Sequence, residues 1–158
     1  MAKKIEVGIL GATGTVGQRF VQLLENHPWF SLTWVAASDR SAGKRYGDAT
    51  AWQLEGAPPA RIADLTVEEC IPGKGPKLVF SSMGSDQAGP IEGAFAQAGH
   101  QVVTNSGHFR MAPDVPLLVP EINPEHLGLL EAQKQRGWSG SILTNPNCAA
   151  VVLVVPLA

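Results

Sequence analysis

The sequence predicts an α/β fold, a mostly parallel sheet with helices on both faces. Short continuous apolar runs alternate with segments of helical apolar spacing, which is the pattern of strands and helices that follow one another in a parallel sheet. A glycine-rich turn separates the first apolar run from the first helical segment, which makes the predicted fold Rossmann-like. The chain has 158 residues, 44% of them hydrophobic, and can bury one substantial core.

The first half of the chain contains two predicted strands and one predicted helix. These elements are a strand over residues 5–10, a helix that ends near residue 26, and a strand over residues 32–37. The helix presents Val16, Phe20 and Leu23 on one face and ends before Pro28. Residues 38–47 are a loop, and prolines and glycines interrupt every pattern over residues 48–75. We therefore expect only loop and short helix in that segment.

The second half repeats the strand and helix pattern. The predicted elements are a strand over residues 77–81, a helix with Pro90 in its first turn, strands over residues 101–104 and 117–119, a helix over residues 124–136 closed by Gly137, and a strand over residues 142–144. From Cys148 the sequence is strongly apolar and predicts a buried helix. Because the chain stops inside this apolar element, we expect it to be part of a longer protein.

Charge and composition exclude several classes of partner. Twelve basic and fourteen acidic residues give a net charge of -2, so no overall field attracts nucleic acid or anionic lipid. The first apolar stretch is too short and too rich in glycine for a signal peptide or a membrane span. The two cysteines, Cys70 and Cys148, fit free thiols in a reducing compartment. We therefore expect a cytoplasmic protein. We expect no metal site, because the cysteines and histidines do not have the spacing of metal ligands.

The glycine-rich turn predicts a dinucleotide site. Its glycines, Gly11, Gly14 and Gly17, lie where a strand turns into a helix, the place where backbone amides meet a pyrophosphate at the positive helix end. Their spacing is G-x-x-G-x-x-G and departs from the usual G-x-G-x-x-G. An ordinary glycine turn is the alternative. The predicted cofactor contacts in this turn are Gly11, Thr13, Gly14, Thr15 and Val16.

The end of the second predicted strand bears on the choice between NAD and NADP. Arg40, flanked by the hydroxyls of Ser38 and Ser41, suits the 2′-phosphate of NADP. Asp39 suits the free 2′-hydroxyl of NAD, so NADP is favoured if the Asp39 side chain turns away. A solvated Asp39 and Arg40 pair without a ligand is the alternative.

Two further strand ends carry candidate site residues. Ser81, Ser82 and Gly84 follow the strand over residues 77–81 and are predicted to contact the nicotinamide half of the cofactor. Cys148 lies between a strand end and the first turn of an apolar helix, where unpaired backbone amides favour the thiolate. Asn147 precedes it and either binds a substrate oxygen or caps the helix.

These motifs together resemble those of the aspartate-semialdehyde dehydrogenase family. The similar stretches are residues 11–17, the loop over residues 37–44, Asn105 to Arg110, and the Pro146-Asn147-Cys148 sequence. Their order and spacing also match, over nearly the whole chain. The resemblance is strongest to the archaeal and fungal branch of the family.

The resemblance implies a reversible reaction in lysine, threonine and methionine biosynthesis. Aspartate 4-semialdehyde, phosphate and NADP give 4-aspartyl phosphate and NADPH, through a thioester on Cys148. Arg110 is implied to bind the phosphate, since a guanidinium fork suits a tetrahedral anion. Residues 1–146 are then the NADP-binding domain, and residues 147–158 are the start of a truncated catalytic domain.

The rest of that catalytic domain, with the family's acid-base histidine, is expected to follow residue 158. It usually forms the dimer interface, so the resemblance implies a homo-oligomer in the full-length form. Three histidines of this chain, His27, His100 and His126, are predicted to be structural. His108 shares a loop with Arg110, but we expect no catalytic role for it.

Two other classes of function fit part of the pattern. A malonyl-CoA reductase or an N-acetyl-glutamyl-phosphate reductase uses the same thioester chemistry, although the latter usually shows a glycine where this chain has Asn147. A non-catalytic nucleotide-binding module, in which Cys148 reports on oxidation, is the third possibility. It does not account for Arg110.

Overall fold

A computed structural model describes residues 3–158 and contains one six-stranded sheet. The strands are β1 (Ile5–Leu10), β2 (Phe30–Ala37), β3 (Val67–Glu69), β4 (Leu78–Ser81), β5 (Gln101–Thr104) and β6 (Ser141–Thr144). All neighbouring strands are parallel, in the order β3-β2-β1-β4-β5-β6. The predicted Rossmann-like α/β fold is confirmed. The strand order reverses between β1 and β4, which creates a crevice at the carboxyl ends of these two strands.

The helices connect the strands. They are α1 (Thr15–Leu24), α2 (Tyr46–Ala49), α3 (Ala60–Ala63), α4 (Ser85–Gln97), α5 (Leu129–Gln133) and α6 (Cys148–Leu157). Two 3-10 turns, Pro124–Gly128 and Lys134–Arg136, flank α5, and Gly137 follows with a φ of 75°. The helix predicted over residues 124–136 therefore consists of three short pieces, and Gly137 ends it as predicted.

The sheet separates two apolar cores. Because side chains alternate along a strand, Val7 and Ile9 of β1 lie in one core with Val21 of α1, while Leu10 lies in the other with Phe95 of α4. All five side chains are fully buried. Helices on both faces are the reason why the strands read as continuous apolar runs.

Four details differ from the sequence prediction. The strand predicted over residues 117–119 is reduced to an isolated parallel bridge between Leu117 and Thr144. Strand β3 lies in the segment that was expected to hold only loop and short helix. Pro90 lies inside α4 instead of in its first turn; it is exposed, and its missing N–H affects only the exposed carbonyl of Asp86. Helix α6 is not buried, because the elements of residues 3–158 leave its apolar side chains largely uncovered. None of the described helices is long and apolar enough to cross a membrane.

Candidate functional site

A cleft of about 490 Å³ opens at the carboxyl ends of the central strands. It lies at the crevice created by the reversal of the strand order, which is where open α/β sheets bind their ligands. The residues that line it come from four strand ends and the segments that follow them: Gly11, Thr13, Gly14, Ala37, Ser38, Asp39, Arg40, Glu69, Cys70, Ile71, Ser82, Met83, Gly84, Gln87 and Ile91. Seven predicted cofactor contacts are among them: Gly11, Thr13, Gly14, Ser38, Arg40, Ser82 and Gly84.

Glycine occupies three positions of the β1–α1 turn, and the structure gives a different reason for each. Gly11 has a φ of 77°, which disfavours any side chain. A Cβ on Gly17 would lie 2.3 Å from the Gly11 carbonyl oxygen, so α1 packs against the turn only with glycine there. A Cβ on Gly14 would meet the same oxygen at 3.5 Å and otherwise open space. Neither conformation nor packing requires a glycine at position 14, and the cleft is what lies in front of it.

Two helices point their positive ends toward the cleft. Gly14 is the N-cap of α1 and Gly84 is the N-cap of α4, and neither cap supplies a side-chain hydrogen bond. The first backbone N–H groups of each helix therefore have neither an intrahelical acceptor nor a capping side chain. Together with the helix dipoles, these groups create a local site for an anion in a protein of nearly neutral net charge.

Side chains from distant parts of the chain hold the turn in place. Gln18 donates from Nε2 to the carbonyls of Thr13 (3.0 Å) and Ala51 (3.1 Å), and its Oε1 accepts from the Gln53 amide at 2.7 Å. The Ser82 hydroxyl lies 3.0 Å from the Leu10 carbonyl oxygen. Sequence reasoning missed the role of Gln18, because a glutamine on a helix carries no signal for a partner 33 residues away.

Tyr46 anchors the same turn from the opposite side. Its side chain is fully buried, and the hydroxyl donates to the Ala12 carbonyl at 3.0 Å. Burial raises the pKa of Tyr46 to about 12, because the phenolate cannot be solvated there. The phenol is therefore a stable hydrogen-bond donor to the glycine turn over the whole neutral range.

This burial predicts a loss of stability at high pH. In the unfolded chain Tyr46 ionises near pH 10, while in the folded chain its pKa is about 12. The stabilisation is complete below pH 10 and is lost as the pH rises toward 12. Two pKa units correspond to roughly 2.7 kcal/mol. Urea unfolding between pH 8 and 12 should show a fall that Tyr46→Phe flattens; an equal fall in the variant would contradict the assignment.

At the end of β2 the Asp39 and Arg40 side chains do not pair. Asp39 Oδ1 accepts from the backbone amide of Arg40 at 2.9 Å and so closes its own turn. Within residues 3–158 the Arg40 guanidinium has no salt bridge and no hydrogen bond, and it lines the cleft. This turn thus presents a cation that its neighbouring carboxylate does not neutralise by direct contact.

Strand β3 brings three lining residues that sequence reasoning missed: Glu69, Cys70 and Ile71. They follow an edge strand only three residues long, in a segment whose prolines and glycines hide any periodicity. The Cys70 thiol lies 3.5 Å from the Ala37 carbonyl oxygen, and burial raises its pKa. Burial therefore disfavours the thiolate form of Cys70 at neutral pH.

Four predicted cofactor contacts lie outside the lining of the cleft. Thr15 donates its hydroxyl to Gln53 Oε1 at 2.6 Å, and Val16 is 44% exposed on α1. Ser41 forms a turn through its amide, which donates to the Ser38 carbonyl. The structure does not bring Ser81 to the cleft surface, since this residue is fully buried in β4.

Cys148 is the first residue of α6, at the carboxyl end of β6, and it is exposed. Asn147 precedes it as the N-cap, and Asn147 Oδ1 accepts from the Ala150 amide at 2.8 Å. Of the two roles considered for this side chain, the cap is the one seen in the structure. The amide nitrogen of Asn147 is not used by that cap.

Arg110 lies beside the same turn. Its Nε donates to the Asn145 carbonyl and its Nη2 to the Asn105 carbonyl, both at 2.8 Å. Two of the five guanidinium N–H groups are thus used, and three are left for a ligand. Arg110 and Cys148 therefore belong to neighbouring turns at the carboxyl ends of β5 and β6.

The four histidines contact backbone or pack on it. His27 accepts from the Phe30 amide through Nδ1 (3.2 Å), His100 Nε2 accepts from the Gly73 amide (3.1 Å), and His126 Nδ1 lies 3.2 Å from the Leu117 carbonyl oxygen. The His108 ring covers Gly89, where a Cβ would lie 2.3 Å from its Nε2. Among residues 3–158, no cluster of His, Cys, Asp and Glu has the arrangement of a metal site.

The chain matches the family model described as semialdehyde dehydrogenase, NAD binding domain, over residues 6–130. The aspartate-semialdehyde dehydrogenase of Archaeoglobus fulgidus is 50% identical over 160 residues, which cover 98% of this chain and 46% of that protein. The archaeal side of the predicted resemblance is thereby confirmed.

Solved structures give the same result. The aspartate-semialdehyde dehydrogenase of Candida albicans, crystallised with NADP, superimposes with a TM-score of 0.88 at 41% identity, covering 98% of this chain and 46% of that chain. The enzyme II of Vibrio cholerae, complexed with ASA, gives 0.73 at 28% identity, covering 98% and 45%. The fungal resemblance is also confirmed, and the chain spans less than half the length of these proteins.

Proposed function

This chain belongs to the semialdehyde dehydrogenase family through its NAD-binding domain, and from that premise we propose that it carries the cofactor site and the nucleophile of an NADP-dependent aspartate-semialdehyde dehydrogenase. The full-length protein would interconvert 4-aspartyl phosphate and aspartate 4-semialdehyde. The observation that carries the proposal is spatial: the glycine turn, the Arg110 loop and Cys148 all lie at the carboxyl edge of one parallel sheet.

The residues of the cleft fit a dinucleotide. The N-termini of α1 and α4 suit the pyrophosphate, and Gly14 leaves room for its approach to the backbone. Arg40, free of Asp39, suits a 2′-phosphate. When bound, NADP supplies a nicotinamide ring that accepts or returns a hydride.

Cys148 would carry the acyl group. The exposed thiol at the start of α6 is placed where the N–H groups of the first helical turn favour a thiolate. In the oxidative direction the thiolate would add to the aldehyde carbon to give the thiohemiacetal anion. Loss of one hydride from that carbon, for which oxidised nicotinamide is the acceptor, would leave the neutral thioester. Phosphate then attacks the thioester carbon, which releases the Cys148 thiolate and the acyl phosphate.

Arg110 would hold that phosphate. Its bonds to the Asn105 and Asn145 carbonyls orient the guanidinium, and its remaining N–H groups suit the oxygens of an anion. The Asn147 amide nitrogen, which the helix cap leaves unused, is positioned one residue from the nucleophile to donate to a substrate oxygen.

The remaining elements of the proposal concern the whole protein. Residues 1–146 would be the NADP-binding domain and residues 147–158 the start of the catalytic domain, in a homo-oligomer of the full-length form. The two free thiols suit the cytoplasm. If coenzyme A supported turnover where phosphate did not, the acyl acceptor in this proposal would be wrong.

The first test compares the melting temperature of the chain with NADP, with NAD and without ligand. A ligand at 100 times its dissociation constant stabilises by about 2.7 kcal/mol, which corresponds to roughly 5–10 °C for a domain of this size. We expect NADP to raise the melting temperature more than NAD does at equal concentration. Absence of any shift with either nucleotide would argue against a cofactor site in the cleft.

Arg40→Ala should remove the preference for NADP. A charge-assisted hydrogen bond contributes about 1.5–3 kcal/mol, so we expect the NADP dissociation constant to rise roughly tenfold or more. NAD binding should stay the same, because NAD has no 2′-phosphate. Arg19→Ala, on the exposed surface of α1, is the matched control for the loss of one cation. Equal weakening of NADP and NAD would show that Arg40 does not contact the 2′-phosphate.

A further inference from the structure

Three side chains tie the turn after β5 to the turn after β6. Thr104 and Thr144 pair in register as the last residues of these strands, and Asn105 and Asn145 follow them. Asn145 Nδ2 donates to Asn105 Oδ1 at 3.0 Å, and Arg110 donates to both of their carbonyls. We name Asn105, Asn145 and Arg110 the strand-end clasp.

The clasp is built on a rigid base. Thr104 Oγ1 donates to Glu92 Oε1 at 2.6 Å and accepts from the Ser106 amide at 2.9 Å, and Thr104, Glu92 and Ser106 are all buried. On the other side, the Thr144 hydroxyl donates to the Pro116 carbonyl at 2.8 Å. The hydrogen bonds of Thr104 and Thr144 therefore fix the start of each turn. Between the two turns, the Asn145 amide donates to the Thr104 carbonyl at 3.3 Å, and the clasp supplies the side-chain bonds.

Asn145 depends on this clasp more than Asn105 does. Asn145 Oδ1 is buried and has no hydrogen-bond partner within residues 3–158, so the bond from Nδ2 to Asn105 is what orients the side chain. Only Pro146 and Asn147 separate Asn145 from Cys148. The position of Asn145 therefore helps to set where the N-cap and the first turn of α6 lie.

We propose that Asn105 and Asn145 are positioning residues that hold Cys148 at the start of α6, beside the loop that carries Arg110. The inference rests on the proposed role of Cys148 as the nucleophile. When the clasp is broken, the turn before α6 loosens and the first helical N–H groups no longer stay aligned with the thiol. The thiolate then loses part of its stabilisation, and Cys148 reacts more slowly.

The test measures carboxamidomethylation of Cys148 by iodoacetamide in the folded chain at pH 7.5, followed by mass spectrometry. Cys70, partly buried in the cleft, is the internal reference for opening of the fold. We expect Asn145→Ala to slow Cys148 by about threefold or more while the rate at Cys70 stays unchanged. Asn105→Ala should act alike, and the double variant should be no slower than either single variant, since all three lack the same bond.

A conservative variant separates positioning from general stability. Asn105→Asp keeps the acceptor oxygen for Asn145 Nδ2, while its added negative charge disfavours a nearby thiolate. A Cys148 rate in Asn105→Asp above that in Asn105→Ala therefore reports the restored bond. Gln101→Ala is the matched control: it removes a side-chain bond to Ser141 at the opposite end of the same strand pair and should leave the Cys148 rate unchanged.

Two results would overturn the proposal. One is a Cys148 rate in Asn145→Ala equal to that of Gln101→Ala; the other is a Cys148 rate in Asn105→Asp no higher than that in Asn105→Ala. A joint acceleration of Cys148 and Cys70 in Asn145→Ala indicates loss of the fold. If Asn145→Ala does not fold, the Cys148 rates of Asn105→Ala and Asn105→Asp decide whether the proposal holds. Alkylation requires neither cofactor nor substrate, so its outcome is independent of the nucleotide-binding test of the proposed function.

Discussion

Cys148→Ala should abolish phosphate-dependent reduction of NADP by aspartate semialdehyde in the full-length protein. Without the thiol no thioester forms, and removal of a covalent nucleophile lowers kcat by roughly 10⁴-fold or more. The measurement is the formation of NADPH at saturating aldehyde, phosphate and NADP. A variant with more than about a tenth of the wild-type kcat would exclude Cys148 as the acyl carrier.

The same variant contains its own control. The Cys148 side chain is exposed at the start of α6 and is not among the residues that line the cleft. The melting temperature and the NADP dissociation constant of Cys148→Ala should therefore equal those of the wild type. A lower affinity for NADP would show that part of the lost activity comes from the cofactor site and not from the missing nucleophile.

Gly17→Ala should destabilise the chain by about 3 kcal/mol and lower its melting temperature by roughly 6–12 °C. The added Cβ would lie 2.3 Å from the Gly11 carbonyl oxygen and 2.7 Å from the Ala12 Cα, so the backbone of the turn or the whole of α1 must move. Both atoms belong to the backbone, which has no alternative rotamer. NADP binding should fall together with stability, because the displaced turn is the proposed pyrophosphate site.

Gly14→Ala is the matched control in the same turn. Its φ of -74° suits alanine, and its Cβ would have ordinary contact with the Gly11 oxygen at 3.5 Å. Thermal unfolding without ligand should change by less than about 1 kcal/mol. NADP titration should show weaker binding. Unchanged NADP affinity in Gly14→Ala would mean that the pyrophosphate does not approach this backbone.

Local patterns in the sequence determined most of the strands and the glycine turn, and they indicated the proposed nucleophile. The apolar run of β1 and the helical spacing of α1 depend on side-chain periods of neighbouring residues, and a turn between them can be read from its glycines. Cys148 was predicted in the same way, and the structure places it at the start of α6, after β6. The order of these elements was enough to predict that their functional residues share one edge of the sheet.

Contacts between distant residues needed the tertiary structure. Tyr46 and Ala12 are 34 residues apart, and Asn145 and Asn105 are 40 apart, so no local pattern relates them. The short edge strand β3 depends on pairing with β2, which is why the segment that carries Cys70 showed no strand pattern of its own.

The sequence by itself determined which residues are suited to cofactor binding and to nucleophilic attack, because residue type and the local backbone depend only on neighbouring residues in the sequence. Only the tertiary structure decided which of them reach the cleft, which is why Ser81 proved to be buried and Arg40 free of Asp39. It also decided that α6 lies exposed, since the burial of a helix depends on the surface packed against it and not on its own composition.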